Sequence, residues 1–213
     1  MSRRCPLTSM WRHAARAGRA LREDTRASAA VEGALILPIA MTMFALLLYG
    51  AEAFNIQRKV TLTTRTVTDL ITQATPTQFT SGASIVSHTS IDTQLGVASS
   101  VLTPYSGANL TMVASEVQVN SDQVTATVLW SEPYNGATAR AVGQQITLPT
   151  GMGTGQYNTT TNQGSYLILG EVFYTYTPLN FYTPVSAMTL HDSIYLTPRQ
   201  STSITCTDCT THS

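Results

Sequence analysis

The longest apolar stretch of the chain lies near its N-terminus and predicts a membrane-spanning helix. No residue from 33 to 51 is charged, and most are Leu, Ile, Ala, Met or Phe. As a helix with a rise of 1.5 Å per residue, this stretch would extend about 28 Å, close to the roughly 30 Å hydrocarbon core of a bilayer. Residues 35–48 lack the polar face that a helix on the surface of a soluble protein needs. We therefore expect a transmembrane helix over residues 28–53, in which Pro38 is tolerated.

Two other structures are compatible with an apolar run of this kind. A buried core helix is the first, although it would normally show a polar side. A removable signal peptide is the second, because Ala51 and Ala53 flank Glu52 in the small-residue pattern that signal peptidase accepts. The run is longer than the usual apolar part of a signal peptide, about 7 to 15 residues. We therefore favour a retained anchor, with Glu52 as a hydrated residue at its outer boundary.

Helical periodicity continues beyond the apolar stretch but becomes amphipathic. Apolar residues recur about three, four or seven positions apart at Ile56, Val60, Val67, Leu70 and Ile71. Polar and charged residues occupy the other faces, and Pro76 is expected to end the helix. Residues 54–75 are therefore predicted to extend the membrane helix. Together, a single helix from about residue 29 to 73 would be some 65 Å long.

Alternating patterns in residues 76–213 predict a small domain with an antiparallel sheet, so the fold class is α+β. A second helix is predicted over residues 83–101. Residues 109–119 and 123–132 read as a hairpin, and residues 150–165 as a loop. Residues 166–179 predict a long strand buried on both faces, with Val172, Tyr174 and Tyr176 opposite Leu167, Leu169 and Phe173. A last short strand is predicted to end at Pro198. The hairpin is expected to bury one face made of Val117, Val119, Val124, Ala126, Val128 and Trp130.

Basic residues are concentrated before the apolar stretch, which predicts the orientation of the anchor. Seven of the twelve Lys and Arg residues are arginines within residues 1–27. Positive charge beside a span resists translocation, so residues 1–27 are expected to be a cytoplasmic leader and residues 76–213 an exported domain. This places the chain in the inner membrane, with its C-terminal domain in the periplasm or outside the cell. The formal net charge is zero, which gives no indication of nucleic acid as a partner.

The cysteines suit an exported tail more than an active site. Cys206 and Cys209 form a CxxC pair close to the C-terminus, where oxidation to a local disulfide is permitted. A thioredoxin-like redox centre is the alternative, although its CxxC normally opens a helix after a strand. Zinc binding with His191 or His212 is a further alternative, although one CxxC is half of the usual site. The histidines are scattered and the glycines match no phosphate-binding motif. We therefore expect no catalytic residues, metal or cofactor, and no enzymatic activity.

Both ends of the chain resemble one protein family. The segment "RASAAVEGALILPIAMTMFALLLYGAE" resembles the start of TadE- and TadG-like proteins of tight-adherence pilus systems. The segments "GEVFYTYTPL" and "IYLTPRQ" resemble the end of these chains. The matching positions of this C-terminal motif are Glu171, Tyr174, Tyr176, Pro178, Tyr195, Pro198 and Arg199. We expect mainly structural roles for them, in which Arg199 could pair with a carboxylate such as Glu171 across the sheet.

The resemblance also suggests proteolytic processing at the inner side of the anchor. A prepilin-like cut between Ala27 and Ser28 would make Glu32 the fifth residue of the mature chain, in the first turn of its helix, where a negative charge is favoured. Ala27 stands where pilin-type sites favour glycine. The amine of Ser28, on the same or a neighbouring subunit, would then be available as a counter-charge for Glu32.

The resemblance implies a pilin-like, pseudopilin function in tight-adherence pilus assembly, through helix–helix association and display of the exported domain. The implied partners are the lipid bilayer, other pilus or pseudopilin subunits and a prepilin peptidase, with no nucleic acid. Two functions of other classes stay open at this point. One is an uncleaved single-pass envelope protein whose exported domain binds a ligand or partner, and the other is an exported thiol-redox enzyme.

Overall fold

The computed structural model describes residues 25–73, 79–80, 83–178, 186–206 and 208–209. It begins with helix α1, Thr25–Thr72, which contains Pro38. The chain divides into two units between Gly50 and Ala51, within this helix. The expectation of a long apolar N-terminal helix followed by a domain with an antiparallel sheet is confirmed. The fold is therefore mixed α+β.

The second part of helix α1 belongs to the core of the domain. Ile56 is 1% exposed and Val60, Val67 and Ile71 are fully buried, as the apolar periodicity predicts. Thr63, Thr64, Thr68 and Thr72 lie among them and are equally buried, although threonine is a poor helix former. The hydroxyls of Thr64 and Thr68 donate to the carbonyls four residues earlier, at 2.9 and 2.7 Å. Each polar group is thereby satisfied within the helix, so the threonines can be buried.

Five antiparallel strands form the main sheet, in the order β5-β4-β3-β8-β9. Their bounds are β3, Leu110–Val119; β4, Thr125–Tyr134; β5, Gln145–Thr147; β8, Tyr166–Tyr176; and β9, Met188–Leu196. A second sheet contains β1, Phe79–Thr80; β2, Ala83–Val86; and β10, Ser203–Cys206, with β2 and β10 parallel. The pair β6, Tyr157–Asn158, and β7, Gln163–Gly164, forms a small ribbon. Helix α2 covers His88–Ser99.

The main sheet is packed on both faces. One apolar cluster combines helices α1 and α2 with Met112, Ile168 and Val172. The other contains Val117, Val128 and their neighbours on the opposite face. Strand β8 presents Val172, Tyr174 and Tyr176 to the first cluster, and Leu167 and Leu169 to the second. Its two predicted apolar faces are therefore confirmed except at Phe173, which is half-buried and belongs to neither cluster.

The predicted single buried face of the hairpin is wrong at two of its six positions. Ala126 and Val128 share a cluster with the β3 valines, but Trp130 lies in the cluster on the opposite face. The cause is an irregularity in the ladder, where Glu116 pairs with Trp130 and the next residue of β3 pairs with Val128. The extra residue between them reverses which side of the sheet the following residues occupy. Val124 precedes β4 and is 56% exposed.

Three further boundaries differ from the sequence expectations. The predicted helix over residues 83–101 is wrong in its first turn, because residues 83–86 form strand β2 and Ser87 caps helix α2. The hydroxyl of Ser87 accepts the backbone N–H of Ser90, which starts the helix there. The predicted loop over residues 150–165 contains the β6–β7 ribbon. Strand β10, after Pro198, was not predicted at all.

Candidate functional site

The first part of helix α1 exposes an almost continuous apolar surface. From residue 30 to 54, nearly every side chain is exposed. The exposed fractions of the large apolar side chains here lie between 51% for Leu46 and 71% for Leu47. One helix is long and apolar enough to cross a membrane by length and composition, and its most apolar window contains no buried residue. This surface is compatible with a single-pass membrane protein.

The predicted processing residues all lie within helix α1. Ala27 and Ser28 have helical backbone, and Glu32 is exposed. Because the helix begins at Thr25, Glu32 is its eighth residue and lies beyond the first turn in the uncut chain. The expected stabilisation by the helix dipole is therefore weak in this form, since the effect falls off within the first turn.

The first half of the C-terminal motif connects strand β8 to helix α1. Tyr174 and Tyr176 are each 5% exposed and lie in the cluster that contains Ile56 and Val60. The hydroxyl of Tyr176 donates to Oε2 of Glu52 at 2.8 Å. Glu52 therefore carries a specific contact and is more than the hydrated boundary residue expected from sequence. Pro178 follows the strand and is buried.

Glu171 lies on the opposite face of β8, and its partner differs from the expected one. Nε and Nη2 of Arg140 donate to its two carboxylate oxygens at 2.6 and 2.7 Å. The Glu171 hydrogen bonds raise the pKa of Arg140. Nε2 of His191 is 3.9 Å from the same carboxylate, and the His191 ring stacks on Phe173 with centroids 4.4 Å apart. The buried Glu171 carboxylate thus has a bidentate partner in Arg140, an arrangement that stabilises the fold.

Arg199 pairs with a carboxylate, as expected, but the carboxylate is that of Asp69 and not the suggested Glu171. Nη2 of Arg199 lies 2.5 Å from Oδ1 of Asp69, on helix α1, and the backbone N–H of Arg199 donates to the carbonyl of Thr72. Arg199 therefore attaches the segment after β9 to the end of helix α1. Pro198, just before it, is partly buried. Tyr195 packs on the second apolar cluster, where burial, followed by the charge of Glu171, raises the pKa of its phenol.

A C-terminal clasp, formed by Glu116, Trp130 and Ile204, was missed by the sequence analysis. Oε1 of Glu116 accepts the backbone N–H of Ile204 at 2.7 Å. The indole N–H of Trp130 donates to Oε2 of Glu116 at 3.1 Å and to the carbonyl of Ile204 at 2.6 Å. Burial raises the pKa of Glu116 to about 7, against the effect of these hydrogen bonds. One indication of this buried acid is present in the sequence: Glu116 continues the alternation of Leu110, Met112 and Ala114, and so lies on the apolar face of β3.

The two C-terminal cysteines lie directly after the clasp. Cys206 and Cys209 are joined by a disulfide and are both buried. Their donor atoms and a carboxylate oxygen of Asp208 lie within 4.8 Å of one another, but the bonded sulfurs offer no thiolate to a metal. Asp208 accepts the backbone N–H of His88, and Nδ1 of His88 is 2.7 Å from Glu132. Cys5, His212 and the residues before Thr25 lie outside the described residues.

Comparisons with protein-family models, with curated proteins and with solved structures find no match for this chain.

Proposed function

We propose that this chain is a pseudopilin-like component of tight-adherence pilus assembly. It is anchored in the inner membrane by helix α1 and displays its sheet domain on the far side. The observation that carries the proposal is the change of surface along this one helix, which is apolar and exposed up to Phe54 and has one buried face from Ile56 onwards. A pilin-like layout has this form, in which one helix is both the membrane anchor and the core element of the exported domain.

The residues near the start of the helix support the proposed assembly mechanism. Gly33, Ala34, Ala40 and Ala45 provide small surfaces that let two membrane helices approach closely. Glu32 costs up to roughly 2.5 to 3.5 kcal/mol if it enters the membrane centre, and less near the interface. Cleavage before Ser28 moves Glu32 into the first turn and creates an amine that can offset this cost. The pair then fixes the register between neighbouring subunits.

The mass of the mature chain tests the processing step. The protein is expressed with its pilus system and purified from membranes, and its N-terminus is identified by mass spectrometry. A new terminus at Ser28 is the expected result. An intact Met1 would leave a plain membrane anchor, and a terminus after Ala53 would mean secretion, so either result contradicts the proposal.

Replacing Glu32 tests the register between subunits. We expect Glu32→Ala to insert normally but to co-purify at least tenfold less with other pilus subunits. Glu32→Asp is the matched control, because it keeps the charge and should retain most of the association. Equal co-purification of the alanine variant and the unmodified chain would reject the register role.

An uncleaved envelope protein with a ligand-binding domain is the second candidate. It is favoured by a hollow of about 700 Å³ between residues 155–166 and residues 197–202, which is lined by uncharged polar groups with Tyr157 and Tyr166. Such a lining suits a neutral, hydroxyl-rich ligand. Under this alternative, Met1 stays in place and loss of the pilus subunits has no effect on the protein's location.

A further inference from the structure

A small basic hollow lies on helix α1 shortly after the apolar stretch ends. Its lining combines Asn55, Arg58, Lys59 and Leu62 with the Pro104–Tyr105 turn, and its volume is about 290 Å³. The four helix residues follow an i, i+3, i+4, i+7 spacing and therefore share one face. The volume is at the lower end of the roughly 300–1,000 Å³ that ligand sites occupy. The hollow can accommodate a small polar group such as a lipid headgroup.

In the part of the chain that the structure describes, no carboxylate balances the charge of the hollow. Of the five basic residues that follow Ala51, Arg140 pairs with Glu171 and Arg199 pairs with Asp69. Among the described residues, no carboxylate lies within 4.0 Å of Arg58 or Lys59. Two adjacent cations in one concave site therefore carry a positive charge that no carboxylate among the described residues offsets.

The position of the Lys59 side chain leaves some of its hydrogen-bond donors available. Its ammonium nitrogen lies 3.3 Å from the carbonyl oxygen of Val101, to which it donates. An ammonium group has three donors, so two stay available for another acceptor. Arg58 is exposed and carries a planar fork that matches the oxygens of a phosphate. The two side chains together present the donor set that a phosphate group requires.

The surroundings of the hollow are those of a membrane interface. Arg58 follows Ala51 by seven residues, about 10 Å along a helix, and side chains on a helix tilt toward its N-terminus, here toward the apolar stretch. Leu62 is 51% exposed and Phe54 66% exposed, so apolar surface continues beside the two cations. The Tyr105 ring supplies an apolar body with a polar tip, a residue type enriched at membrane surfaces.

We propose that this hollow binds the phosphate headgroup of an anionic phospholipid in the outer leaflet of the membrane. Arg58 and Lys59 hold the phosphate oxygens, Asn55 and Tyr105 contact the polar headgroup, and Leu62 lies against the start of an acyl chain. The inference rests only on the anchoring step of the proposed function, and it holds whether or not the chain enters a pilus. It gives the exported domain a fixed depth at the bilayer surface.

Local photo-crosslinking tests the site. The full-length chain is reconstituted in vesicles of phosphatidylcholine and phosphatidylglycerol, in which a small part of the phosphatidylglycerol carries a photoreactive group near its headgroup. Crosslinks are then mapped to residues 55–62 and 104–105 by mass spectrometry. A basic residue at an anionic surface strengthens attraction roughly fivefold, so replacing both cations should reduce crosslinking here roughly 25-fold. Arg58→Gln alone, which leaves the Lys59 contact in place, should reduce it roughly fivefold.

Controls separate this inference from the anchor itself. Arg65→Gln is the matched variant, because Arg65 is exposed on the same helix and does not line the hollow, and it should crosslink normally. Equal crosslinking of the Arg58→Gln/Lys59→Gln variant and the unmodified chain would overturn the inference, as would its loss on adding inorganic phosphate alone. Failure of every variant to float with neutral vesicles would instead overturn the anchor.

Discussion

Removing the charge of Glu116 tests the C-terminal clasp. In the folded chain this carboxylate lies under strand β10, where it is 2% exposed and accepts hydrogen bonds from Ile204 and Trp130. Gln has nearly the same shape and is neutral at every pH. Its carbonyl can still accept the N–H of Ile204, and the indole of Trp130 keeps the Ile204 carbonyl as an acceptor. The Glu116→Gln variant should therefore keep the strand in place.

The size and sign of the effect follow from the raised pKa. Burial moves the pKa of Glu116 from an ordinary 4.5 to about 7, so between these values the folded chain holds a proton that the unfolded chain has released. The stability that Glu116 contributes is complete below about pH 4.5 and is lost as the pH rises through 7. Since one pKa unit corresponds to about 1.4 kcal/mol, the loss amounts to about 3 kcal/mol. Glu116→Gln should remove this loss.

The free energy of unfolding is measured between pH 4 and 8 by urea unfolding of the full chain in neutral detergent. Trp130 fluorescence reports unfolding, in a Trp11→Phe background. The free energy of unfolding of Glu116→Gln should match that of the parent near pH 4 and exceed it by about 3 kcal/mol at pH 8. Asp92→Asn, an exposed acid on helix α2, is the control and should leave the pH dependence of the parent unchanged. Parallel pH curves for the parent and Glu116→Gln would refute the reasoning.

Two further predictions concern the two faces of strand β8, and both are measured by the same urea unfolding. Arg140→Gln should destabilise the domain by about 2 to 4 kcal/mol, because it leaves the buried Glu171 carboxylate without its bidentate partner; a change below 1 kcal/mol would contradict this. Gly170→Ala should cost about 2 to 3 kcal/mol, because the added Cβ would overlap the hydroxyl oxygen of Thr68. Thr68→Ala should recover part of that cost, and purely additive effects of the two substitutions would exclude the clash.

Local periodicity was sufficient to predict the long elements of this fold. The residue types change from uniformly apolar to apolar on a single face of the helix. The burial of that face from Ile56 onwards could therefore be predicted. The two faces of β8 could also be foreseen, because strand β8 alternates without interruption. Both predictions needed only the period of the element, not its neighbours.

Interactions between distant segments could not be predicted in the same way. The ladder irregularity beside Glu116 depends on how β3 and β4 pair, and an undisturbed period of two places Trp130 on the wrong face. The expected partner of Glu171 was Arg199, but the structure brings Arg140 to it from a segment 31 residues earlier. Ion pairs between distant residues can be predicted from the sequence only when the strand order is known. Tyr176 and Arg199 were singled out from the sequence, but their partners Glu52 and Asp69, on helix α1, were not predicted.

These partners attach the C-terminal motif to the part of helix α1 that belongs to the domain, from Ala51 onwards. Tyr176 donates to Glu52 and Arg199 pairs with Asp69, so the motif contacts helix α1 near both ends of its buried part. Between these contacts, Gly170 lets the sheet approach the helix closely enough to touch Thr68. Seventeen residues separate Glu52 from Asp69, about 25 Å of helix. The sheet is therefore attached to this part of helix α1 over that whole length.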